Sequence, residues 1–469
     1  MNKPERSASI AEQLAATIHG LRPDGLPPAT VEMARRLLLD VVGLAVAARN
    51  ETYVVATLEA ADPGMPSSGT PSSATGATAF GHAGGFDAFG AALINGTGAH
   101  GEDYDDTFEG GPVHSGAVIV PAILAACERE KLGGERVLLG IAVGTELMCR
   151  LALVAPKAIH AAGFHPTAVL GAVAAAGGVA ASLGLSPEQT VSAMGIAGSM
   201  ASGIIEYLAE GTWTKRMHAG NAAQAGIRAA LMARGGFLGP RTVFEGTHGF
   251  FKAFAPSRKP DFAPLLDGFG KSWVIEQIAF KPHACGTMTQ PFVDCAVRLA
   301  ASGVKAEEIA DILCFVGEGT VHRLWEPLAV KHAPQTPYAA KFSTPYCMAL
   351  GFFDGRAGLS QFTEARIADP KVAALARKIR YEIDPNDEYP KNFTGHLKAT
   401  LADGSVKELR QPHMRGGAHD PLPIAELEGK FLDNVRFGGW DENQARKFLD
   451  LTRTLFKAPD LEALAEFRR

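Results

Sequence analysis

The sequence predicts a mainly α fold, a large all-helical domain formed by both chain ends with a smaller α+β lid domain inserted between them. Three observations predict it. Helical periodicity with many small residues fills the first half, short alternating segments with a hairpin signal follow, and amphipathic helix returns in the tail. At 469 residues the chain is too long for one simple core. On this reading residues 1–270 begin the helical domain, 271–415 form the lid, and 416–469 complete the helical domain.

The elements follow in order. Residues 30–48 set Met33, Leu37, Val41 and Leu44 at helical spacing after a Pro-Pro start signal. Helices rich in small residues are expected over 116–128, 134–153, 166–183, 187–200 and 220–234. Residues 63–75, rich in Pro, Ser, Gly and Thr, read as a surface loop. Residues 273–280 and 310–316 are β-like, and 396–401 and 406–410 alternate around Asp403-Gly404, a hairpin signal. Helices are expected at 291–301 and 346–353, and from Ile424 onward through Leu432, Val435, Ala445, Phe448 and Leu455. A cleft between the two domains is the default active site.

Composition excludes several classes. The net charge is −5 and no run of Lys or Arg tracks phosphates, so nucleic acid is not an expected partner. Residues 1–21 lack the apolar core of a signal peptide. The uncharged stretch 168–185 is mostly Ala and Gly, which reads as a buried helix and not a membrane span. The cysteines at 127, 149, 285, 295, 314 and 347 show no CxxC or zinc spacing, the pattern of reduced thiols in a cytoplasmic protein.

Four segments carry polar clusters that a core does not require. His100 to Thr107 packs three aspartates into four positions, 103, 105 and 106, ahead of His114 and Ser115. Such carboxylates repel one another and must meet cations or donors. His165 precedes Pro166, the first residue of an expected helix, whose free N–H groups and dipole favour an anion. Lys215, Arg216 and His218 precede another helix of small residues, where a lysine can hold a carboxylate or exchange a proton. Lys281 and His283 close the first β-like segment. Together they offer cations for carboxylates and groups that move protons near neutral pH. No phosphate loop, Rossmann fingerprint or nucleophile elbow accompanies them, so cofactor-free, metal-free proton transfer is expected.

The segments GTGAHGEDYDDTFEGGPVHSGAV, GFHPTAVLGAVAAAGG, GTWTKRMHAGNAAQAGIRAA, FKPHACGTMTQP and KFSTPYCMALGFFDG, in that order, resemble the MmgE/PrpD family. That family includes 2-methylcitrate dehydratase, cis-aconitate decarboxylase and iminodisuccinate epimerase. The resemblance implies a homodimer through the helical domain and a small polycarboxylate substrate. Carried over by position, it implies catalytic roles for Asp103, His114, His165 and Lys215, with Thr107 and Lys281 at the substrate. Arg216, His218 and His283 join the expected substrate-binding set. Two features depart from the family's pattern: His283 stands at an aromatic position, and Gln290-Pro291 replaces His-Pro.

The expected reaction is a cofactor-independent lyase step, dehydration or decarboxylation, that builds negative charge beside a carboxyl group. Epimerisation of a dicarboxylate, by two bases on opposite faces, is the alternative. Two further readings are weaker. Asp105-Asp106-Thr107-Phe108-Glu109 matches the DDxxE magnesium motif of helical isoprenoid synthases, but no second motif completes it. A carboxylate-binding relative without activity is the other.

Overall fold

The computed structural model describes residues 7–61, 76–111 and 113–469; the expected loop at 63–75 lies outside the described residues. The fold is mainly α, as expected, and it divides into two compact units. The first unit takes residues 1–101, 105–278 and 428–469, and the second takes 102–104 and 279–427.

In the first unit the principal helices are α1 (Ile10–Gly20), α2 (Pro28–Ala47), α3 (Ala88–Gly101), α4 (Gly116–Arg129), α5 (Gly134–Val154), α6 (Pro166–Leu183), α7 (Pro187–Met200) and α8 (Thr214–Arg234). Helices α5 and α6 are long and apolar enough to cross a bilayer, yet most of each is buried inside this unit. Small residues also let helices of this unit approach closely. A Cβ on Gly220 of α8 would lie 2.3 Å from the Leu93 carbonyl oxygen of α3, and one on Gly96 would lie 2.6 Å from the Gly220 Cα. The two backbones touch there, and only glycine allows it.

The tail returns to this unit through an amphipathic helix, Glu442–Thr454, which buries Ala445, Phe448 and Leu449. Phe448 packs at ring distances of 5.9 Å from Phe80, 5.5 Å from Phe431 and 4.9 Å from Phe467. A buried ion pair of 2.7 Å between Lys430 and Asp40 joins the tail to α2.

In the second unit, strands β1 (Ile309–Val316), β2 (Ile379–Ile383), β3 (Gly395–Leu401) and β4 (Val406–Gln411) form one sheet in the order β2-β1-β3-β4. β1 is parallel to β2 and antiparallel to β3. The β3–β4 hairpin turns at Asp403-Gly404, with Gly404 at φ 84°. Helix α9 (Gln290–Ala301) packs on this sheet and on α10 (Thr344–Asp354).

Several elements differ from expectation. Helix α8 begins at Thr214, six residues before the expected start, so Lys215 and His218 lie within it and not ahead of it. Residues 273–280 are mostly not strand. Val274–Gln277 is a 3-10 turn, and only Ile278–Ala279 is extended. The Glu146 carboxylate accepts the Ile275 N–H at 3.0 Å, and Arg150 donates to the Ser272 carbonyl at 3.0 Å. Side chains thus satisfy backbone groups that a ladder would otherwise pair. Helix α3 and strand β2 were not expected at all.

Candidate active site

In the first unit, three helix ends and one loop bring four histidine rings together. His100 sits in the last turn of α3, His114 just before α4, His165 at the start of α6, and His218 in the first turns of α8. Ring centroids are 5.0 Å apart for His100 and His114, 5.5 Å for His100 and His165, and 5.3 Å for His165 and His218. The rings form a row, 114–100–165–218.

Hydrogen bonds orient this row. His100 Nδ1 lies 2.7 Å from Asp105 Oδ2, and both side chains are fully buried. The chain turns back between them through Asp103, whose φ of 54° is a left-handed conformation that aspartate tolerates. His114 Nδ1 lies 2.7 Å from the Asp106 carbonyl oxygen. A carbonyl only accepts, so His114 carries its proton on Nδ1 when neutral and presents a lone pair at Nε2. The Thr167 hydroxyl accepts the His114 backbone N–H at 3.2 Å, fixing that loop against the start of α6.

Electrostatics disfavour charge on two of the rings. Burial, with His100, Lys215, His218 and His114 around it, holds the His165 pKa well below 6.5. Burial, with His100 and Lys215, lowers His218 to about 4. Lys215 itself is only 6% exposed. Asp106 goes the other way: burial, and then the charges of Asp105 and Asp40, raise it to about 7. Its oxygens accept the Ser115 hydroxyl at 3.0 Å and the Gly116 N–H at 3.0 and 3.1 Å, satisfying the first N–H of α4.

The other expected residues fall as follows. Thr107 is buried in a two-residue strand of the first unit. Arg216 is buried too, with its guanidinium 4.1 Å from the Tyr53 ring centroid, a cation–π stack. Asp103 and Lys281 belong to the second unit. There the Lys281 ammonium donates to the Asp103 carbonyl at 2.7 Å, and the Tyr338 hydroxyl donates to Asp103 Oδ2 at 2.7 Å. Lys341 pairs with Glu102 beside them. His283 has both ring nitrogens engaged by protein: Nδ1 accepts the Ala357 N–H at 3.3 Å, and Nε2 lies 3.1 Å from Asp294 Oδ1. Gln290 accepts the His283 N–H at 3.0 Å and donates to the His283 and Cys285 carbonyls at 2.8 and 3.0 Å.

His100, Asp105, Tyr338 and Lys341 were not singled out from the sequence. His100 and Asp105 had a signal, being five residues apart in the acidic segment; Lys341 opens the fifth quoted segment, and Tyr338, three residues before it, had none.

Ligand atoms of His100, Asp105 and His114 lie within 4.8 Å of one another, close enough to hold a metal ion. The hydrogen bond to the Asp106 carbonyl takes Nδ1 of His114, so a metal there would have to use its Nε2. The DDxxE reading meets an obstacle of its own, because Asp106 is fully buried and its carboxylate already accepts from Ser115 and Gly116.

A mainly helical fold with four clustered histidines beside a buried lysine offers groups suited to acid–base chemistry. The MmgE/PrpD N-terminal domain matches residues 12–263 and the MmgE/PrpD C-terminal domain matches 283–456, and the chain belongs to the MmgE/PrpD family. It is similar to the cis-aconitate decarboxylase of Homo sapiens, 29% identical over 455 residues that cover 92% of this chain and 89% of that protein. The Mus musculus protein of the same name is 29% identical over 442 residues, covering 91% and 87%. That of Aspergillus terreus is 26% identical over 493 residues, covering 98% and 96%.

Proposed function

We propose that this protein is a cytoplasmic, cofactor-independent lyase that removes CO2 or water from a small di- or tricarboxylic acid, with cis-aconitate the first candidate. The observation that supports this reading is the histidine row beside Lys215, in which the Nδ1 hydrogen bond of His114 puts its neutral-ring lone pair at Nε2. The relatives' shared name supports the choice of substrate.

Loss of CO2 breaks a carbon–carbon bond and leaves its electron pair on the adjacent carbon, delocalised into a neighbouring carboxylate. Lys215 stabilises that charge, and the helix start at His165 holds a carboxylate. The carbon then takes a proton from His165 or His114. In the dehydratase variant the base removes an α-proton and the acid protonates the departing hydroxyl. Thr107 and Lys281 hold substrate carboxylates in this proposal, and the protein works as a homodimer through its helical unit.

Epimerisation is the second reading, favoured by one feature: His114 and His165 flank His100 on its two sides. Proton NMR of cis-aconitate and related acids in D2O with the purified protein separates the two. A decarboxylated or dehydrated product supports the lyase; deuterium entering at the α-carbon of an otherwise unchanged acid supports the epimerase. No conversion of any acid in the panel overturns both. Dialysis against EDTA should leave the rate unchanged, and a loss restored by Mg²⁺ or Zn²⁺ would return the His100–Asp105–His114 set to consideration.

Lys215→Ala should cost on the order of 2.7–4 kcal/mol of transition-state stabilisation, comparable to losing one oxyanion-hole donor. That is roughly a hundredfold or more in kcat. His165→Ala should fall at least as far. Melting temperatures measured beside the kinetics must stay near wild type, since loss through unfolding would refute the assignment.

A further inference from the structure

His165 and His218 meet nitrogen to nitrogen. Their Nδ1 atoms are 3.1 Å apart, with the rings tilted by 38°. Two neutral imidazoles in this contact hold one proton between them: one ring donates Nδ1–H and the other accepts with its lone pair. The donor ring is then bare at Nε2, whereas the acceptor ring carries Nε2–H. The pair has two states, related by the shift of that one proton.

A buried acid faces a charge problem in this chemistry. His165 is 6% exposed and His218 4%, and decarboxylation consumes a proton at every turnover. Should neutral His165 give up Nε2–H alone, it would become an imidazolate anion. Should it be charged beforehand, it would be an imidazolium facing Lys215, His100 and His114. His218 faces His100 and Lys215 and resists charge for the same reason. The Tyr207 ring meets both histidines edge-on, at 6.2 and 5.8 Å.

We propose that His218 is the relay partner of His165, letting it give or take a proton at Nε2 while both rings stay neutral. As His165 Nε2–H protonates the substrate carbon, the Nδ1 proton of His218 moves to Nδ1 of His165, and His218 Nε2 takes a proton from water. Each ring loses one N–H bond and gains one, and the net transfer is one solvent proton to carbon. Run backwards, the pair accepts a substrate α-proton at His165 Nε2 and releases one to water from His218. The empty site resets by the same reverse shift, with a water proton entering at His165. The inference deepens the proposed lyase reading and rests on proton transfer by His165.

Two measurements test it. In two-bond proton–nitrogen spectra of the histidine-labelled full chain, the wild type should show an Nδ1 proton shared by His165 and His218. That signal should vanish in both His165→Phe and His218→Phe, and neither ring should titrate near the ordinary histidine value of about 6.5. Two rings titrating independently there would overturn the proposal without reference to any substrate.

The second is turnover of cis-aconitate, or of whichever acid the panel identifies, by His218→Phe and His218→Gln. Glutamine can hydrogen-bond His165 but cannot pass a proton through itself. Both variants should lose roughly a hundredfold in kcat with little change in KM, and their pH profiles should gain a limb absent from wild type. A glutamine variant that restores kcat would make His218 a positioning residue only and overturn the relay. A wild type inactive on every acid refutes the lyase reading instead, and the spectra then decide whether the proton pair exists.

Discussion

Asp106 is a carboxylate held out of water with Asp105 and Asp40 close by, so its ionised form is the costly one. Its folded pKa, about 7, lies above the ordinary 3.8. The stability it contributes is therefore fully present below 3.8 and is lost as pH rises through about 7. Asp106→Asn does not titrate and keeps only one acceptor oxygen, so it should be less stable than wild type at acid pH. The gap should narrow by up to ~1.4 kcal/mol per pH unit as the pH rises through this window. Urea unfolding of both proteins across that range checks it, and parallel curves would show that Asp106 ionises normally. A second residue-scale expectation concerns Gln290, whose amide satisfies three backbone groups around His283 and Cys285. Gln290→Ala leaves buried donors and acceptors unpaired and should cost about 2 kcal/mol or more, read as a fall in melting temperature. Residue types were legible in the sequence here, but partners were not. Three aspartates within four positions announced a cluster. Which one meets a histidine depends on the left-handed turn at Asp103, which delivers Asp105 to His100.

Helix α3 carries His100 and escaped notice because it is buried on nearly every side. A helix without a polar face has no amphipathic period, and its four glycines mimic a loop. Helices α6 and α7, by contrast, were placed to the residue, because Pro166 and the Ser186-Pro187 start mark them locally. The late expected start of α8 has a related cause: Gly220 looks like a boundary but is an interior contact with α3. That contact brings His100 and His218 to facing helices. Gly220→Ala should force α3 and α8 apart, because its Cβ would meet backbone and not a movable side chain. The expected cost is about 1–3 kcal/mol, the usual range for overpacking. Activity should fall further than the melting temperature suggests, since the histidine row is assembled across this crossing. Wild-type kinetics with an unchanged melting temperature would show that the helices absorb the methyl without moving.

At the scale of the whole molecule, the mainly helical fold and the return of the tail were legible because the last helices are strongly amphipathic. Strand β2 was not, although its Ile-Arg-Tyr-Glu-Ile run alternates, because it is only five residues long and lies at the sheet edge with Arg380, Glu382 and Ile383 exposed. The remaining question at this scale is association. Between residues 204 and 217, four large apolar side chains stand in the open: Ile204 at 60% exposure, Leu208 at 47%, Trp213 at 50% and Met217 at 38%. Single exposed apolar residues are ordinary, but four in so short a stretch of the helical unit suit burial against a second copy. Light scattering should therefore give about twice the chain mass of 49.3 kDa. Trp213 is a poor choice for disrupting the pair, because its ring packs edge-on at 6.3 Å against Tyr53, on which Arg216 stacks. Leu208→Glu combined with Met217→Glu places two charges on the patch and leaves that packing in place. The double variant should run as a monomer with wild-type helical circular dichroism. If the wild type itself runs at 49.3 kDa, the patch serves no self-association. If the double variant stays paired, the copies meet through another face of the helical unit.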